Sequence, residues 1–213
     1  MTTLPSAALF DLDGVLIDTE ELYTGIWTDI ERAHPTGIDN FAVKIKGSTL
    51  NRILSTYFPD PTEQADIIAM LKEREEAMPY RLFDGVTDFL AGLRSQGIPA
   101  AIVTSSNAPK MERLFGLIPG FRDMFAAVIT DSDVSRSKPD PECYLTAAAR
   151  LGADIADCIV FEDSFSGLQA GRAAGAHVVA LATTNSHESL EGKADLIIDS
   201  FAGTDICSLA KLL

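Results

Sequence analysis

Residues 7–20 read AALFDLDGVLIDTE. The apolar run Ala7-Ala8-Leu9-Phe10 leads directly into Asp11, and Leu12, Asp13 and Gly14 follow. An unbroken apolar run closed by a turn signal fits a strand buried on both faces, as in a parallel sheet. Asp13-Gly14 supplies the turn at its end. Two carboxylates at the mouth of such a strand lose hydration and repel each other unless a cation or a shared proton compensates. The carboxyl end of a parallel sheet is also where open α/β folds bind ligands. The stretch therefore points to a metal-assisted site, with one Asp as nucleophile and the other as acid/base. Asp-x-Asp-Gly is also a common solvated turn, so the rest of the chain has to decide.

Downstream, residues 15–82 contain little that reads as strand. Apolar residues at helical spacing (Leu22, Ile26, Trp27, Ile30) predict a helix over Glu20–Ala33, with further helices over Leu50–Tyr57 and 63–77. Pro59 and Pro61 punctuate between the last two. From Asp84-Gly85 the rhythm changes to helices alternating with short apolar runs at 100–103, 126–130, 158–161, 178–182 and 196–198. Helices are predicted over 86–96, 110–115 and 141–151, and from Ser164 to about Ala174. That alternation predicts βαβ units and an α/β fold: a Rossmann-like, three-layer parallel sheet. The expected division is a core of residues 1–15 and 83–213, with a small all-helical cap, 16–82, inserted after the first strand.

Composition narrows the function classes. A chain of 213 residues with 46% hydrophobic content can bury a sizeable core. A formal net charge of -14 disfavours nucleic acid and anionic membranes as partners. Cys143, Cys158 and Cys207 are far apart and fit neither a zinc site nor a disulfide framework. The segment MTTLPSAALF lacks the basic start and the apolar length of a signal peptide, and no stretch is long enough to span a bilayer. A reducing, cytoplasmic setting is expected.

The polar residues at the strand ends form the decisive pattern. The first strand offers Asp11 and Asp13, the second Thr104 and Ser105, the loop after the third Lys138, and the fourth Glu162 and Asp163. Each has an ordinary explanation: a helix cap, a surface loop, compensation of a helix dipole. Together, at one edge of one sheet, they suit phosphoryl transfer. Mg²⁺ held by carboxylate oxygens would neutralise the repulsion between a phosphate dianion and an incoming carboxylate. A fixed Lys with hydroxyl or NH donors would hold the phosphoryl oxygens. Asp11 would attack phosphorus, and Asp13 would protonate the leaving oxygen and then deprotonate water.

The stretches FDLDGVLIDTE, AIVTSS, SKPDPECY and IVFEDSFSGLQAGRAAGA, in this order, resemble the haloacid dehalogenase superfamily of phosphotransferases. The likeness is to its phosphatase and β-phosphoglucomutase-like branch, and it covers nearly the whole chain. The resemblance implies a Rossmann-like sheet with the nucleophile strand central. It implies Asp11 as nucleophile, and Asp13 as acid/base whose backbone carbonyl also binds Mg²⁺. Thr104 and Lys138 would hold the phosphoryl group, aided by the Ser105 NH. Asp163 would ligate the metal, with Glu162 a ligand or an outer partner. The family's dehalogenases lack an acid/base at the position of Asp13, so its presence points to phosphoester chemistry.

Within the family, a mutase of the β-phosphoglucomutase type carries a His where Tyr23 stands and an Arg soon after its cap Lys-Gly. Here Lys46-Gly47 matches, but Arg52 is displaced. The expected activity is hydrolysis of a small phosphorylated metabolite, most simply a sugar phosphate or a related polyol or sugar-acid phosphate. A β-phosphoglucomutase-like isomerase, an inorganic pyrophosphatase and a catalytically silent phospholigand binder are the alternatives. Glu20, Lys46, Gly47 and Arg52 are the candidate substrate contacts of the cap. Lys44 lies in the same segment; Lys72 and Arg74, among Glu73, Glu75 and Glu76, are weaker candidates. His34, His177 and His187 carry no expected catalytic role. A monomer is expected.

Overall fold

A computed structural model describes residues 4–212. β1 (Ala7–Phe10) is followed by α1 (Glu20–Ala33), α2 (Phe41–Lys44), α3 (Leu50–Tyr57) and α4 (Pro61–Glu76). The chain then runs through α5 (Val86–Ser95), β2 (Ala100–Val103), α6 (Ala108–Leu117), β3 (Ala127–Ile129) and α7 (Glu142–Leu151). β4 (Cys158–Glu162), α8 (Phe165–Ala174), β5 (His177–Leu181), α9 (His187–Leu190), β6 (Leu196–Ile198) and α10 (Ile206–Leu209) complete it.

The six strands form one parallel sheet in the order β3-β2-β1-β4-β5-β6. This is the α/β Rossmann-like architecture that the alternation predicts. β1 lies between β2 and β4, and the strand order reverses beside it, the point where such sheets bind ligands. Residues 7–10 are buried on both faces because helices cover both. On one face, Phe10 stacks on Phe161 with centroids 4.7 Å apart and packs against Phe89, Phe125 and Phe201. On the other, Leu9 and Val160 share a cluster with Tyr144 of α7.

A third cluster (Ile26, Trp27, Ile30, Phe41, Ile53, Phe58, Ile67 and Leu71 among others) gives the inserted helices a core of their own. Leu16 and Ile17, on the cap side of the expected boundary, pack with the sheet's core instead.

Element starts follow their caps. α4 begins at Pro61 rather than 63, since Asp60 accepts from Thr62 N at 2.8 Å and Pro suits the first helical position. α6 begins at Ala108 rather than 110, since the Asn107 side chain accepts from Lys110 N at 3.0 Å. The short α2, α9 and α10 are too brief for a periodic apolar pattern to announce them.

Candidate active site

The ladder between strands carries the functional residues to one edge. Asp11 N donates to Phe161 O at 3.0 Å and Thr104 N to Ile129 O at 2.9 Å, each one residue beyond its strand. Lys138 arrives from the loop before α7 and reaches under that edge. Its Nζ lies 2.5 Å from Asp11 Oδ1, 2.6 Å from Glu162 Oε1 and 3.2 Å from Val103 O. Its side chain is 2% exposed, against 12% for Asp11 and 0% for Glu162. Residues 11, 138 and 162–163, remote in sequence, are therefore brought together at this edge, with Thr104 at the end of the neighbouring strand.

Glu162 is held on both oxygens. Oε1 also accepts from Tyr144 Oη at 2.8 Å, and Oε2 accepts from Asp163 N, Ser164 N and Ser164 Oγ, each at 3.0 Å. Gly167 allows this approach, because a Cβ there would collide with the Glu162 carboxylate. Ser164 caps α8 by accepting from Gly167 N. Asn185 Nδ2 donates to Asp163 O at 2.8 Å, and Thr183 Oγ1 donates to Gly14 O. The loop after β5 thus braces both the Asp-Gly turn and the Asp163 backbone.

Among the described residues, one group of acids suits a metal ion: Asp11, Glu162 and Asp163 offer buried oxygens within 4.8 Å of one another. Hard carboxylate oxygens are the donor set of Mg²⁺. Burial pushes the Asp11 carboxyl up to about 8, Lys138 pulling it down and Glu162 adding to the rise. Burial acts to lower Lys138, but Asp11 and Glu162 outweigh it and hold the ammonium well above its usual range. A lysine that stays charged and an acid short of compensation are what a site for a cation and a phosphate would contain.

Asp13 is gripped by groups that its motif does not reveal. Lys110 Nζ is 2.6 Å from each carboxylate oxygen, Ser106 Oγ donates to Oδ2 at 3.0 Å, and Thr19 Oγ1 donates to Oδ1. A cation in the first turn of a helix opposes the helix dipole. That oddity, directly after the strand end Thr104-Ser105-Ser106-Asn107, is the signal in the sequence that singles out Lys110. Thr104 Oγ1 is buried and accepts from Ser106 N at 3.0 Å.

The loop after α2 meets this edge through its backbone. Ser105 Oγ donates to Gly47 O at 3.1 Å, and Ser166 Oγ donates to Lys46 O at 3.3 Å. Gly47 has φ +75°, and a Cβ there would strike Ser164 and Ser166. Lys46 lines a cleft of about 850 Å³ with Thr28, Asp29, Arg74, Thr183 and Thr184. Arg52 does not join it: its Nη1 donates to Lys138 O at 3.0 Å, beside a second hollow. The side chain of Glu20 lies outside the described residues.

Residues 5–175 match the haloacid dehalogenase-like hydrolase family. The chain is 31% identical over 177 residues to the fructose-1-phosphate phosphatase YqaB of Escherichia coli, covering 80% of this chain and 93% of that protein. It is 32% identical over 190 residues to the β-phosphoglucomutase of Bacillus subtilis, covering 81% of each. To the bifunctional riboflavin kinase/FMN phosphatase of Arabidopsis thaliana it is 29% identical over 92% of its own length, and it spans about half (54%) of that protein. The crystal structure of CbbY from Rhodobacter sphaeroides is similar, with a TM-score of 0.77 at 27% identity, covering 97% of this chain and 99% of that one. The chain belongs to the haloacid dehalogenase-like hydrolase family. Relatives named as phosphatases set its class as that of the phosphoric monoester hydrolases. No helix among the described residues is long and apolar enough to cross a membrane.

Proposed function

We propose that this protein is a Mg²⁺-dependent phosphatase that hydrolyses a small sugar or polyol monophosphate through phospho-Asp11. Residues 16–82 would serve as its cap. The observation that carries the reading is the buried Lys138 ammonium shared by Asp11 and Glu162 at the end of the central strand.

In the first step an Asp11 oxygen bonds to phosphorus, the ester P–O bond breaks, and the departing oxygen takes a proton from Asp13. In the second, a water oxygen bonds to phosphorus and gives its proton to Asp13. The acyl-phosphate bond breaks, and Asp11 is restored with release of inorganic phosphate. Lys138 and the Thr104 hydroxyl hold the phosphoryl oxygens as charge shifts among them, with the Ser105 NH as a further donor. Glu162, engaged on both oxygens, fixes Lys138. Mg²⁺, held by the Asp11 and Asp163 carboxylates and the Asp13 carbonyl, would supply the positive charge that lets a carboxylate approach a phosphate dianion.

The cleft beside Lys46 supports a monophosphate with a hydroxyl-bearing leaving group. Its walls carry Thr28, Thr183 and Thr184 among Leu22, Ile26 and Met78. The Thr28 and Thr183 hydroxyls donate to Thr24 O and Gly14 O and face a substrate as acceptors. Arg74 in that wall is paired with Asp29 at 3.0 Å. With Arg52 turned to the Lys138 carbonyl, the wall is poorly charged for the second phosphate that a mutase must retain. Gly47 seats the cap loop, and Lys46 and Glu20 are the side chains proposed to contact substrate.

The test is a panel of metabolite monophosphates scored by kcat/KM for phosphate release, with Mg²⁺ and with a chelator. Release from a sugar or polyol phosphate, abolished by chelation and in Asp11→Asn, is expected. Interconversion of sugar phosphates primed by a bisphosphate, without net release, would establish the mutase instead.

A further inference from the structure

Lys110 is placed where a cation is unfavourable unless something specific requires it. It sits in the first turn of α6, whose unpaired NH groups already make that end positive. Its side chain is 4% exposed, so the ammonium has given up most of its hydration. What it meets is the Asp13 carboxylate, with Nζ 2.6 Å from both oxygens. The same Nζ lies 4.4 Å from the centroid of the Tyr23 ring, on the cap helix α1. Tyr23 Oη donates in turn to Glu75 Oε1 of α4 at 2.7 Å. Burial, with the Asp13 and Glu75 carboxylates nearby, drives the Tyr23 phenol well above its ordinary range, so it remains a neutral donor.

The network is anchored from both sides. Ser106 and Lys110 approach Asp13 from the loop and helix that follow β2, while Thr19, at the start of α1, approaches from the inserted helices. Tyr23 of α1 then packs on Lys110, and Glu75 of α4 holds Tyr23 in turn. A carboxylate held by three directed donors has little rotational freedom, which is what an acid/base that must meet one leaving oxygen requires.

We propose that Lys110 is a positioning residue for Asp13, and that Tyr23 holds Lys110 so that the acid/base is aligned when the cap sits over the core. The proposal rests on the reading of Asp13 as the acid/base of a phosphatase. It makes the residue at position 23 part of the catalytic apparatus through Lys110, although Tyr23 itself touches no reacting atom.

The leaving group separates positioning from mere support of the fold. Nitrophenolate departs without a proton, whereas a primary alkoxide does not, so only the alkyl ester needs an aligned acid. kcat/KM reports the step that forms phospho-Asp11 and is read for Lys110→Met on p-nitrophenyl phosphate and on the best primary-alcohol phosphate of the wild type. Loss of about 100-fold on the alkyl ester, with less than about fivefold loss on the aryl ester, is the expected result. Lys110→Arg, which restores the cation, should recover part of the alkyl activity. Equal losses on both esters, or no loss on either, would overturn the proposal. Should Lys110→Met not fold, Tyr23→Leu is read in the same pair of assays. A selective alkyl loss of about tenfold supports the proposal, and an unselective or absent loss overturns it. A wild type that releases phosphate from neither ester would refute the phosphatase reading itself, an outcome distinct from all of these.

Discussion

The two walls of the active site are built by opposite means. The sheet edge holds its groups by side chains that are buried and multiply bonded: Lys138, Asp11 and Glu162 are 2%, 12% and 0% exposed. The loop after α2 reaches the same edge with backbone atoms, Gly47 O and Lys46 O, and Arg52 of α3 bonds a main-chain carbonyl, while Thr19 and Tyr23 at the start of the inserted helices reach Asp13 and Lys110 with side chains. A buried ion network tolerates almost no change, because removing one partner strands the others without solvent. Backbone contacts leave the cap side chains free to vary with the leaving group. On the proposed reading, the sheet edge fixes the chemistry, with Thr19 and Tyr23 steadying Asp13 and Lys110, and the choice of substrate falls to the side chains around the loop after α2.

The largest test of this contrast is Glu162→Gln. It strips Lys138 of one of its two carboxylates and leaves Tyr144 Oη with a changed partner. kcat is expected to fall by about 100-fold with little change in KM, and stability by about 3 kcal/mol in urea unfolding. A stable variant with near-normal kcat would show that the network is decorative.

Next is the response of stability to pH. The Asp11 carboxyl sits at about 8 in the ion-free fold against an ordinary 3.8. Between roughly pH 4 and 8 the folded chain therefore binds more protons than the unfolded one. That contribution to stability is complete below the lower value and is lost as pH rises through the upper one. Chelated wild type should lose several degrees of Tm across this window relative to Asp11→Asn, and Mg²⁺ should flatten the difference. Parallel profiles would contradict the assignment of the shift to Asp11.

On the cap side the effects should be smaller. In Gly47→Ala the new Cβ meets Ser164 and Ser166, and φ +75° is strained for any other residue. KM should rise about tenfold while Tm moves by only a degree or two, since the sheet core is untouched. Arg52→Ala removes the Nη1 bonds to Lys138 O and Ser137 Oγ and should lower kcat/KM about threefold, with no change in the ranking of substrates. A change in that ranking would mean that Arg52 reads the substrate after all.

Some of the site is visible in the chain alone. Buried parallel strands read as continuous apolar runs, so residues 7–10, 100–103 and 158–161 declare themselves, and the polar residue that ends each run falls at the same sheet edge. Asp11, Thr104, Glu162 and Asp163 are expected from that geometry, and Lys138 from the loop after the third run. Lys110 does not follow, because its importance lies in a contact with Asp13, 97 positions away. Arg52 shows the same limit: nearness to Lys46 in sequence does not say which side of a helix turns toward the cleft, and its side chain lines a different hollow.

The sequence by itself determined the fold class, the order of the strands along the chain and the acids that close them, because apolar periodicity and turn chemistry act over a few residues. Only the tertiary structure decided which cation serves which carboxylate: Lys138 for Asp11 and Glu162, Lys110 for Asp13. Those pairings depend on strand register and on the seating of the inserted helices. Both are set by packing between segments that no local pattern connects.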